Sequence, residues 1–72
     1  MPTLRSNFSY AISNTYTTDT GEIRAEIDLS YFDSESNATL GIATINLGLG
    51  TSTANDSNVA EIMSTSFPQY FV

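Results

Sequence analysis

The chain predicts a mainly β fold, a small antiparallel sheet of three to four strands (a hairpin plus a central strand), with room for a short C-terminal helical turn. Three observations lead there. Apolar and polar residues alternate with a period of two through the first half of the chain, an Asp–Gly turn signal separates two such runs, and a third run is rich in β-branched residues and glycine. Residues 1–72 make a single small domain, because a chain of 72 residues has no room for two cores.

The first element is the run Phe8 to Tyr16. Phe8, Tyr10, Ile12 and Tyr16 occupy alternate positions, with Ser9, Ala11, Ser13 and Thr15 between them. A strand of that pattern is half-buried, and it places Tyr16 on the same face as Phe8, Tyr10 and Ile12. It ends in Thr17-Thr18-Asp19-Thr20-Gly21, where Asp and Gly favour a tight turn.

The second element carries the clearest signal. Ile23, Ala25, Ile27, Leu29 and Tyr31 alternate with Glu22, Arg24, Glu26, Asp28 and Ser30. A helix would scatter these apolar residues around its circumference, whereas a strand puts them all on one face. It follows the Asp–Gly turn closely, so it is the second arm of an antiparallel hairpin.

Asp33-Ser34-Glu35-Ser36-Asn37 reads as a polar turn, after which Thr39 to Leu49 is apolar and β-branched. The alternation slips there, since Leu40 and Ile42 are even-numbered while Ile45, Leu47 and Leu49 are odd. Either a bulge lies near Ala43-Thr44 or the strand is covered on both faces, and it is taken as the central strand.

Residues 58–66 fit two patterns. Val59, Ile62, Met63, Ser66 and Phe67 have helical spacing, with Asn58 and Glu61 as a capping box and Pro68 as a stop. Ser64-Thr65-Ser66 are poor helix formers, and Val59-Glu61-Met63 also alternates, so a fourth strand is the alternative to a helical turn.

Composition narrows the function. Cys and His are both absent, so no disulfide can form and the two commonest zinc ligands are missing. Arg5 and Arg24 are the only basic side chains against eight acidic ones, a net charge of -6 that repels phosphate backbones and anionic lipid. Serine hydroxyls have no His, Lys or Cys beside them to act as an ordinary base. The N-terminal segment lacks the apolar stretch of a secretory signal, and no run is long or apolar enough to span a bilayer.

Motifs add little chemistry. Asp19-Thr20-Gly21 matches the core triplet of aspartic proteases, but the apolar strand that should precede it is Tyr16-Thr17-Thr18, so a hairpin turn is the simpler role. Asp33, Glu35 and Asn37 have the spacing that opens an EF-hand loop, yet Ala38 replaces the required Gly and Thr44 the bidentate Glu. Asn7, Asn37 and Asn55 begin Asn-x-Ser/Thr sequons of the kind a Ser/Thr-rich chain produces by chance.

The expectation is therefore a non-enzymatic structural protein with no cofactor, no metal and no small-molecule substrate, binding neither nucleic acid nor membrane. Small domains without sulfur or metal staples recover stability by association, so the partners are other protein chains, as a homo-oligomer or within a larger assembly. A virion component, such as a capsid decoration (cement) protein or a tail accessory protein, is the specific form, and a virion or other extracellular particle its place. The candidate partner-binding residues are Phe67, Tyr70, Phe71 and Val72, which either dock on a neighbour or fold back into the chain's own core. The alternative is a small acidic module that covers a basic protein surface through Glu22, Glu26 and Asp28.

Overall fold

The structure, a computed structural model, describes residues 2–72. Strands β1 (Phe8–Thr17), β2 (Ile23–Asp33) and β3 (Ala38–Gly50) form an antiparallel meander in the order β1-β2-β3. A helix, α1 (Asp56–Ser66), and a 3-10 turn at Pro68–Tyr70 follow. The mainly β class read from the alternation is what forms. The third segment, expected in the centre of the sheet, is instead an edge strand, and β2 lies between its neighbours.

Each turn is made by the residues that can make it. Between β1 and β2 the Thr18 N–H donates to the Glu22 carbonyl at 2.8 Å and the Gly21 N–H to the Thr18 carbonyl at 3.0 Å. Gly21 sits at φ +86°, which a side chain would resist. Between β2 and β3 the Asp33 carboxylate accepts from the Glu35 N–H at 3.0 Å, and Asn37 takes the left-handed conformation at φ 57°. Asn tolerates that region better than most residues, so the second turn closes without glycine.

Bulges decide which side chains face the core. In β1 the pairs Phe8↔Tyr31, Tyr10↔Leu29 and Ile12↔Ile27 share one face, but the register shifts between Ile12 and Asn14. Beyond Ser13, Thr15 pairs with Ala25 and Tyr16 with Arg24, so Tyr16 lies on the outer face and not beside Phe8, Tyr10 and Ile12 as period two alone predicts. In β3, Leu29↔Ala43 is followed by Ser30↔Gly41, leaving Ile42 as the extra residue. That bulge lies one residue before the expected site, and it explains the change of parity between Leu40 and Ile45. A second shift, at Leu49, precedes Gly50 at φ +62°, where the chain leaves the sheet.

The inner face of the sheet holds the core. Ala25, Ile27 and Leu29 from β2 and Ile45, Leu47 and Leu49 from β3 pack with Val59 and Met63 of α1 and with Phe71. Of the two readings of residues 58–66 the helix is the one that forms; of its buried residues Val59 and Met63 lie on the predicted stripe, and Ala60 is buried outside it. Its start lies earlier than the capping box suggests. Asn55 is the N-cap, accepting from the Asn58 N–H at 2.8 Å, while the Asn58 amide donates to the Thr53 carbonyl. Ser64 and Thr65 are tolerated because both hydroxyls donate to the Glu61 carbonyl, at 2.8 and 3.1 Å.

The two ends of the chain meet. Leu4 and Phe71 form an antiparallel bridge, flanked by Arg5 N–H to Tyr70 carbonyl at 2.9 Å and Val72 N–H to Thr3 carbonyl at 2.7 Å. The result is a two-layer, elongated molecule of 45 × 21 × 15 Å, with a radius of gyration of 13.0 Å. A compact chain of this length would have a radius near 11 Å. The length comes from β3, whose span of roughly 40 Å is more than twice that of α1. One helix and a short tail therefore cover one face, and the other face stays open.

Candidate functional site

Of the four candidate partner-binding residues, three are engaged within the chain. Phe71 is 7% exposed and belongs to the core, and Phe67 and Tyr70 pack against it. Tyr70 meets Phe8 with ring centroids 5.1 Å apart, and Phe8 in turn meets Tyr31 at the same distance. Val72 alone points outward, 85% exposed. The tail thus closes the core at the Phe8 end of the sheet, which α1 is too short to reach, and the Leu4–Phe71 bridge ties it down.

The motif residues occupy turns. Asp19 and Thr20 form the exposed tip of the first hairpin, and the Thr18 hydroxyl lies 3.0 Å from that of Thr20. The Asp33 carboxylate is occupied by its own turn, as described above. No group of three or more metal-ligating side chains gathers among the described residues.

The outer face is a polar network that crosses all three strands. Arg24 of β2 pairs with Glu22 at 2.8 Å and donates from Nε to the Asn46 side-chain oxygen at 2.7 Å. Asn46 of β3 in turn donates from Nδ2 to the Tyr16 hydroxyl of β1 at 2.9 Å. The bulge at Ser13 makes this chain of contacts possible, because it turns Tyr16 outward. Gly48 leaves space for it as well, since a Cβ there would lie 2.9 Å from a Glu22 carboxylate oxygen and 3.2 Å from Arg24 Nη1. The hydrogen bond that Arg24 donates to the Glu22 carboxylate is the chief cause that raises the Arg24 pKa above its ordinary value, so the guanidinium stays charged. Glu26 and Asp28 have neutral neighbours, Asn14 at 3.0 Å and Thr44 at 3.4 Å. Around the bulge at Ile42 a shallow depression of about 470 Å³ opens, lined by Asp28, Leu29, Ser30, Gly41, Ala43 and Thr44.

The distribution of charge among the strands has no counterpart in the motifs. Arg24, Glu26, Asp28 and Asp33 all lie on central β2, while edge strands β1 and β3 carry no charged residue at all. Sheets ordinarily guard their edges with charges or proline, because an edge offers a row of free N–H and C=O groups to any passing strand. Here the guard is limited to the bulges. Near the β2–β3 turn, where β1 has already ended opposite Tyr31, Phe32, Leu40 and Ile42 are 42%, 47% and 43% exposed. Sequence reasoning missed this exposure. It took β3 for a central strand, and Leu40 and Ile42, which argued for double coverage, are uncovered.

Compared with protein families, characterised proteins and solved structures, the chain shows no significant match to any.

Proposed function

We propose that this chain is a non-enzymatic structural subunit that works by packing against other protein chains in a larger assembly. The observation that carries this reading is the pair of uncharged, open sheet edges, with Leu40 and Ile42 exposed on β3 itself. An edge of that kind is a ready template for β-strand addition, which supplies affinity through main-chain hydrogen bonds. The contact is assigned to the sheet edges and not to the aromatic tail, because that tail is engaged in its own core.

The specific form proposed is a small virion component, a capsid decoration (cement) or tail accessory protein. A minimal β domain without Cys, His or Lys, present in many copies and steadied by a lattice, fits the composition. Sizing the purified chain and incubating it with purified particles tests the proposal. Concentration-dependent association, or retention on particles, supports it. A monomer at every concentration that also fails to bind particles refutes it.

Glu26 and Asp28, carboxylates on the open face that form no ion pair among the described residues, favour a second reading, an acidic module that covers a basic protein surface. Salt separates the two. Charge-steered binding weakens steeply as ionic strength rises, whereas edge pairing between like-charged chains does not.

A further inference from the structure

We infer that the depression around the Ile42 bulge seats a cationic side chain, arginine or lysine, of a different protein chain, with Asp28 as its counter-ion. This rests on what both readings above share, a protein partner, and names the chemistry that the partner brings.

The cation has to come from another protein. Arg5 and Arg24 are the only basic side chains of the sequence, and both are engaged. Arg24 holds Glu22 and Asn46, and Arg5 donates from Nε to the Gln69 carbonyl at 3.0 Å. A second copy carries the same committed arginines and a net charge of -6, so it repels where a basic surface is attracted. Asp28 is the one charged residue that lines the depression. Its carboxylate has a single neutral partner, the Thr44 hydroxyl at a long 3.4 Å, and forms no ion pair.

The space matches that charge. The depression, of about 470 Å³, is lined by Asp28, Ser30 and Thr44 together with the small Gly41 and Ala43. A Cβ on Gly41 would meet nothing within 4 Å, whereas one on Gly48 would run into Glu22 and Arg24. The surface beside Asp28 is therefore open, while the surface beside Arg24 is filled by its own chain. Arginine brings five N–H donors and lysine three, and the Asp28 carboxylate with the Ser30 and Thr44 hydroxyl oxygens supplies acceptors for them. Because β3 is an edge strand, a chain lying alongside it reaches the depression without crossing the sheet.

Nuclear magnetic resonance titration of the intact chain tests this, using a short capped threonine peptide whose central residue is arginine, lysine or the neutral isostere citrulline. The expected result is that the cationic peptides shift the amides of Asp28, Ser30, Gly41 and Thr44 and bind about fivefold more tightly than the citrulline peptide. Asp28→Asn removes the counter-ion and Gly41→Val fills the open space without a clash, so both should erase that preference. Glu26→Gln removes an equal charge from the same face but outside the depression, and should keep it. The spectrum of each variant verifies that it is folded. Equal binding of all three peptides overturns the site, and so does a preference that survives Asp28→Asn or Gly41→Val. Equal losses in Asp28→Asn and Glu26→Gln, with none in Gly41→Val, show a diffuse attraction and overturn it too. Those outcomes leave the two readings above standing, whereas a chain that is retained on neither particles nor immobilised polyarginine loses both.

Discussion

Single side chains carry disproportionate weight in a core this small. Ile27, Leu29, Val59 and Met63 are its fully buried large side chains. Met63→Ala should remove about 2–5 kcal/mol, against a total of about 3–5 kcal/mol for a domain of this size, so the variant should be largely unfolded at 37 °C by circular dichroism. Phe71→Ala should cost about 3–5 kcal/mol in dilute solution, since the ring is buried within its own chain, while Val72→Ala should stay within about 0.5 kcal/mol. Were Phe71 engaged only by a partner, the dilute chain would not register its loss. The helix cap makes a finer test. Asn55→Ala should cost about 1 kcal/mol in urea denaturation and Asn55→Asp much less, because the lost acceptor serves the Asn58 N–H. Burial, with the nearby Asp56 carboxylate as a lesser cause, raises the Tyr10 phenol above its ordinary value of 10.0. The unfolded chain therefore ionises first as pH rises. The Tyr10 contribution is complete below pH 10 and is lost through the folded pKa above it, and Tyr10→Phe should flatten that part of the stability profile.

At the scale of elements, legibility followed how regular each element is. The β2 alternation was plain because β2 is paired on both sides and buries Ala25, Ile27 and Leu29 along one face. The Val59, Ile62, Met63 and Phe67 stripe was less decisive, because Ser64-Thr65-Ser66 and the Val59-Glu61-Met63 alternation kept a strand open as the alternative. Bulges were hard to see. Ser13 carries no Gly or Pro signal, yet the shift there moves Tyr16 to the opposite face and builds the Tyr16–Asn46–Arg24 network. The parity slip in β3 did announce a bulge. Its apolar residues, though, are divided between a core stretch and an exposed one, and a one-dimensional pattern cannot separate these from a doubly covered strand. The helix start was misplaced because Asn55 and Asn58 are both good caps, and only the Thr53 carbonyl bonded to Asn58 decides between them. The candidate tail was correctly singled out as apolar, but whether it folds in cis depends on Leu4, at the other end of the chain. The β2–β3 turn yields its own prediction. Asn37 holds a left-handed conformation, so Asn37→Val should lose about 1–2 kcal/mol in thermal melts, and Asn37→Gly should not.

The molecule as a whole is a sheet finished on one side. Its accessible surface of 4494 Å² is close to the ~4,400 Å² usual for a monomer of this mass. What it lacks is protection along its edges, not burial within its core. A protein partner at either edge would stabilise it by mass action, and its melting temperature should therefore rise when purified particles that bind it are added. The central claim, that the uncharged sheet edges are where other protein chains add to the sheet, is tested most directly by amide hydrogen exchange on the free chain and on the chain retained on particles. If the claim holds, the outward-facing amides of at least one edge strand exchange fast in the free chain and become protected on binding. Exchange along both edges that is the same in the free and the bound chain would contradict it.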